Sequence, residues 1–152
     1  MVDVTRTFTV ATAPQDVLDY LEDFDHATEW DPRTLSCERI GGGAIEVGAR
    51  WHNVSKIAGV ETELTCELIR LEPGRVVFAG RNDTTATRDD ITITPTGAGG
   101  SSLTYHATID FHGATELGTP IAEVVFEKVG AEIEHALTRV LGSPAPVPDP
   151  HR

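Results

Sequence analysis

The sequence predicts an α+β domain: a curved antiparallel sheet of about seven strands, two short helices near the N-terminus, and one long helix near the C-terminus packed across the sheet. Three observations carry this expectation. A strand-like alternation at Val4–Val10 runs straight into a proline-initiated helix. Between Leu35 and Phe111, apolar and polar residues alternate in runs broken by turn residues every roughly 8 to 15 positions. Beyond Thr119 the apolar spacing changes to threes and fours.

The first element reads VTRTFTV, with Val4, Phe8 and Val10 on one side and threonines on the other, the pattern of a half-buried strand. Pro14 suits the first turn of a helix whose apolar stripe is Val17, Leu18 and Leu21. Asp16, Asp19 and Glu22 face water there, and the early acid favours the helix N-terminus. A second helical turn over Asp25–Trp30 is stopped by Pro32, which disfavours helix at Asp31.

The turns of the following meander are marked by Gly41-Gly42-Gly43, Ala58-Gly59, Glu72-Pro73-Gly74, Asn82-Asp83 and the stretch from Thr96 to Gly100. None of the glycine runs has the spacing of a phosphate-binding loop, nor leads from strand into helix. In the longest alternation Val60, Thr62, Leu64, Cys66 and Leu68 share one face and Glu61, Glu63, Thr65 and Glu67 the other, so one face of the sheet is wet. The last helix begins at Thr119 and Pro120, carries Ile121, Val124, Val125, Val129, Ile133, Ala136, Leu137, Val140 and Leu141, and ends at Gly142. The expected domain is therefore 1–142, with 143–152 a disordered proline-rich tail.

Composition removes several classes of function. A net charge of −12 with scattered basic residues opposes binding to nucleic acid or anionic membranes. No apolar run is long enough for membrane insertion, and MVDVTRTFTV lacks a signal peptide's basic start and apolar stretch, so the expected location is cytoplasmic. Cys37 and Cys66 fall on non-adjacent strands and are expected to be buried free thiols. Asp23, Asp25, His26, Glu29 and Asp31 form an acidic group, but most read as capping and solvated residues. No metal and no cofactor is expected. A monomer or a homodimer both fit.

Several local stretches resemble a known family. Ala13-Pro14-Gln15-Asp16-Val17, Tyr20-Leu21-Glu22-Asp23 and Trp30-Asp31-Pro32 are similar to the N-terminal signature of the bacterial polyketide cyclase/dehydrase and lipid-transport branch of the START-like (SRPBCC) superfamily. Val47-Gly48-Ala49-Arg50-Trp51 resembles its third-strand start, and Leu117-Gly118-Thr119-Pro120 the start of its final helix. The resemblance implies the helix-grip fold, and with it a small hydrophobic ligand such as a polyketide, lipid or aromatic metabolite, bound between sheet and C-terminal helix. It fixes no reaction.

Strand phase then nominates the lining. Leu103, Ile109 and Phe111 carry Tyr105 inward; Trp51 carries Asn53, Ser55 and Ile57 inward and turns Arg50, His52 and Lys56 outward. Leu64, Phe78, Ile91, Val125, Val129 and Ile133 supply apolar lining, and Trp30, with Tyr20, borders the expected mouth. Ile91 and Ile93 bring Asp89 inward unless a bulge intervenes near Arg88; the rarity of buried Asp points instead to a frayed, solvated hairpin end. Both readings stand at this level. Tyr105 with Asp89 or Asn53 is the candidate catalytic group if the protein acts as a polyketide cyclase or dehydratase. Cyclases of the family lean on Arg and Tyr inside the cavity, whereas Arg50 and Arg81 point outward by phase, which argues for binding without chemistry.

Overall fold

The computed structural model describes residues 1–57, 59–111 and 119–142, with side chains of the last helix described from Val125 onward. Strand β1 (Val2–Val10) is followed by helix α1 (Pro14–Leu21), a 3₁₀ turn (Phe24–His26) and the single-turn helix α2 (Ala27–Trp30). Strands β2 (Thr34–Ile40), β3 (Arg50–Ile57), β4 (Val60–Glu72), β5 (Arg75–Arg81), β6 (Thr85–Pro95) and β7 (Ser101–Phe111) then form an antiparallel meander. Helix α3 (Thr119–Leu141) completes the described chain. The expected tail at 143–152 and the Leu117-Gly118 pair lie outside the described residues.

The sheet order is β1-β7-β6-β5-β4-β3-β2, so the first strand pairs with the last and the α1–α2 segment carries the chain from one sheet edge to the other. Val2 pairs with Ile109 and Val10 with Ser101. Two irregularities bend the sheet, one between Thr34 and Ser36 in β2 and one between Leu68 and Arg70 in β4. Pairing of β6 with both neighbours is continuous past Arg88, so no bulge resets the phase of Asp89.

Helix α1 has Pro14 at its start and buries Val17, Leu18 and Leu21. Asp23 caps the following turn by accepting a hydrogen bond from the Asp25 amide. Phe24 there stacks on Phe78 with ring centroids 4.2 Å apart and meets Trp51 edge-on at 6.0 Å, so the turn plugs one end of the sheet with aromatic rings.

Helix α3 is fixed at its C-terminal end. The amides of Ala11 and Thr12 donate to the carbonyls of Gly142 and Leu141, and the Thr12 hydroxyl donates to Leu141 as well. These contacts satisfy carbonyls that a helix end otherwise leaves open, and Gly142, at φ +86°, takes the left-handed conformation that ends the helix. Ile133, Leu137 and Leu141 are buried against the sheet. Gly130 lets the backbone approach β1: a Cβ there would lie 2.7 Å from Val4 Cγ2.

Candidate functional site

Two regions lie between the inner face of the sheet and the helices. The outer one is an apolar groove of about 460 Å³ at the end of the sheet where β1 begins. Val2, Ile57, Ile109 and Phe111 supply its sheet side, and Val125, Phe126 and Val129 its α3 side. The volume lies in the range of small-molecule pockets.

The inner region is polar and nearly filled. Arg33, two residues beyond α2, lies with its side chain against Asp31, Asp89 and Tyr105. Its Nε donates to Asp31 Oδ1 at 3.0 Å and its Nη2 to Asp31 Oδ2 at 2.8 Å, a two-point pairing that only a planar guanidinium provides. The same Nη2 lies 3.3 Å from Asp89 Oδ1 and 3.1 Å from the Tyr105 hydroxyl. Tyr105 in turn donates to Asp89 Oδ1 at 2.5 Å. Phe126 covers the group, its ring centroid 5.4 Å from the Arg33 guanidinium carbon.

Burial sets the protonation of this cluster. It pushes the Asp89 carboxyl above the usual range, and Asp31 adds to that, while Arg33 and the Tyr105 hydrogen bond pull the other way. The Tyr105 phenol is raised well above its ordinary value, first by burial and then by Asp89. Burial opposes the charge on Arg33, but Asp31, Tyr105 and Asp89 outweigh it and hold the guanidinium protonated.

Beside the cluster is a chamber of about 20 Å³ bordered by Asn53, Ser55, Leu64, Thr87 and Asp89. It has room for about one water. Ser55 donates to Asn53 Oδ1 at 2.5 Å, and Asn53 donates to Thr34 at 3.4 Å. Both cysteines lie nearby on β2 and β4 as buried free thiols; burial pushes Cys37 up to about 12 and Cys66 higher still. Such thiols are poor nucleophiles.

The sequence-nominated residues therefore divide. Val125 and Val129 line the groove. Asn53, Ser55 and Leu64 face the small chamber, and Tyr105 and Asp89 are hydrogen-bonded to each other. Trp51, Phe78, Ile91 and Ile133 are fully buried. Trp30 is buried too, edge-on to Tyr105 at 6.1 Å, and contributes to a cleft between α2 and α3 rather than to the groove.

Three expectations are corrected. Asp89 is 6% exposed, not a solvated hairpin residue, because Arg33 and Tyr105 partner it. Asp31 is buried and ion-paired, not a solvated acid of the α2 segment. An arginine does enter the interior, but it is Arg33; Arg50 and Arg81 are exposed as their phase indicated. Arg33 escaped the sequence reading because it sits before β2, where no alternation assigns a direction. Its signal was the Asp31-Pro32-Arg33 spacing, which brings carboxylate and guanidinium to the same side of a turn. No group of His, Cys, Asp and Glu among the described residues could hold a metal ion.

A seven-stranded antiparallel sheet gripping one long C-terminal helix is the helix-grip architecture of the START-like class. Residues 1–141 match the family model described as polyketide cyclase / dehydrase and lipid transport, and the chain belongs to that family. The fold is similar to that of a START superfamily protein from Mycobacterium smegmatis, with a TM-score of 0.76, 14% identity, and 91% of this chain and 96% of that one covered. It is also similar to the Zhui aromatase/cyclase from Streptomyces sp. R1128, with a TM-score of 0.70, 17% identity, and coverage of 94% and 98%. No curated protein sequence matches the chain. No helix among the described residues is long and apolar enough to cross a membrane.

Proposed function

We propose that this protein binds or carries a small hydrophobic ligand, a polyketide, lipid or aromatic metabolite, in the groove between α3 and the adjoining end of the sheet. One observation carries the reading: open space and predominantly apolar walls coincide there. A rigid scaffold with a preformed apolar cleft gains affinity by displacing water from surface that the fold leaves uncovered. The neutral dye N-phenyl-1-naphthylamine is expected to bind saturably with a rise in fluorescence. Val129→Trp should weaken it by at least about tenfold, whereas Val140→Trp, on the exposed face of the same helix, should leave it unchanged. Equal effects of the two substitutions would overturn the assignment of the groove.

A second reading, polyketide cyclase or dehydratase, is favoured by one specific observation: an interior arginine paired with a tyrosine and an acid of raised pKa. Such a group suits holding an enolate oxygen and moving a proton. Arg33 also borders the groove, beside Phe126, so the reading requires substrate to compete there with Asp31 and Asp89 for the guanidinium. Under it, Tyr105→Phe should abolish turnover of a poly-β-keto substrate and leave its affinity nearly intact. Equal loss of both, or loss of neither, would remove Tyr105 from the chemistry.

A further inference from the structure

The chain contains two lysines, Lys56 and Lys128, and both line the groove. Lys56 comes from the end of β3 and Lys128 from the face of α3, so residues far apart in sequence meet at one opening. Their side chains are exposed, and neither forms an ion pair among the described residues. The competing acids are Glu132, one turn along α3 and also on the groove wall, and Glu61, opposite Lys56 in the β3–β4 register. In a chain with 24 acidic residues the placement is notable: both ammonium groups border the same apolar groove, Lys128 at the α3 wall it shares with the cleft beside α2.

We propose, building on the ligand-binding reading above, that the groove takes an amphipathic anion whose apolar body lies along Val125, Val129 and Ile109 and whose acidic head, a carboxylate or phosphate, sits at the opening between Lys56 and Lys128. The charge arrangement sets the orientation. At the inner end Arg33 is already matched by Asp31 and Asp89, so an anion entering head first meets two acids on one guanidinium. At the opening it meets two ammonium groups in water. Ammonium groups act there as point charges, which fit either kind of head. The wider protein field repels anions, so local attraction must supply the selectivity, and it should weaken with salt.

Displacement of N-phenyl-1-naphthylamine by decanoate, decyl phosphate, decan-1-ol and decylamine, each below its aggregation limit, tests this. The anions are expected to bind about three- to tenfold more tightly than the alcohol at low salt, the yield of two exposed charge contacts. Decylamine should bind more weakly than the alcohol. The Lys56→Gln/Lys128→Gln double variant should lose the preference and keep its affinity for decan-1-ol. The relative strength of decanoate and decyl phosphate identifies the head. Equal binding of anion and alcohol, or a preference that survives in the double variant, overturns the proposal and leaves the ligand-binding reading standing. Lysine-dependent sedimentation with anionic phospholipid vesicles, without preference for free anions, overturns it in favour of a membrane surface. If dye and all four probes fail to bind, the groove is not a ligand site and both readings fall.

Discussion

At the scale of the residue, the interior is decided by Arg33. Burying a carboxylate costs several kcal/mol unless it is paired, and Asp31 and Asp89 are buried together only because one guanidinium reaches both. Asp89 keeps its proton to higher pH in the fold than in the unfolded chain, because burial disfavours its charge. The sign of the linkage follows. Once pH rises past the ordinary carboxyl value of 3.8, the unfolded state gains by ionising and the native state loses relative stability until its own raised pKa is reached. Asp89→Asn removes this dependence while keeping an oxygen for Tyr105. Thermal unfolding should therefore show Tm of the variant gaining on that of the natural sequence between about pH 4 and pH 7; a change in the opposite direction would mean that Asp89 is ionised at little cost. How legible these residues are in the sequence differs one by one. Tyr105 lies on an unbroken alternation from Leu103 to Phe111, and its inward direction is plain. Asp89 has the same support, yet composition argues against burying it, and only a partner outside any periodic segment resolves the conflict. Arg33 lies in that unassigned stretch, between a helix stop and a strand start.

At the scale of the element, period alone accounts for most of what folds. Strands β3, β4 and β7 bury alternate residues, as their sequences indicate, whereas β5 buries Val76, Val77 and Phe78 in succession; α3 buries Ile133, Ala136, Leu137 and Leu141 at helical spacing. The bends are less legible. The irregularity at Thr34–Ser36 leaves Leu35 half exposed on the groove wall, and nothing in the local alternation marks it. Close approach of helix to sheet is likewise invisible in a hydropathy pattern, although Gly130 encodes it. Replacing an interior helical glycine by alanine in an open helix stabilises by about 1 kcal/mol. Here the added methyl would meet Val4, itself 2% exposed, at 2.7 Å. Gly130→Ala should therefore be net destabilising, by about 1–3 kcal/mol in urea unfolding. A gain in stability would show that α3 can lift from β1 without cost.

At the scale of the whole molecule, space is distributed unevenly. Aromatic packing of Phe24, Trp51 and Phe78 fills one part of the interior, the Arg33 cluster fills the middle, and an apolar groove opens toward the end where β1 begins and α3 carries Val125 and Val129. The resemblance carried by the Ala13–Pro32 segment was sufficient to anticipate the grip of helix on sheet, but not where the grip is tight. That depends on the summed volumes of side chains from seven strands, which no local pattern reports. The ties from Ala11 and Thr12 to the last turn of α3 matter in this light. They give the helix a fulcrum at one end, with the groove toward the other, so a small change of helix tilt opens or narrows the groove while barely moving Leu141. The width of the groove is thereby coupled to the β1–α1 joint, so a substitution at Thr12 acts on the groove from the opposite end of the helix.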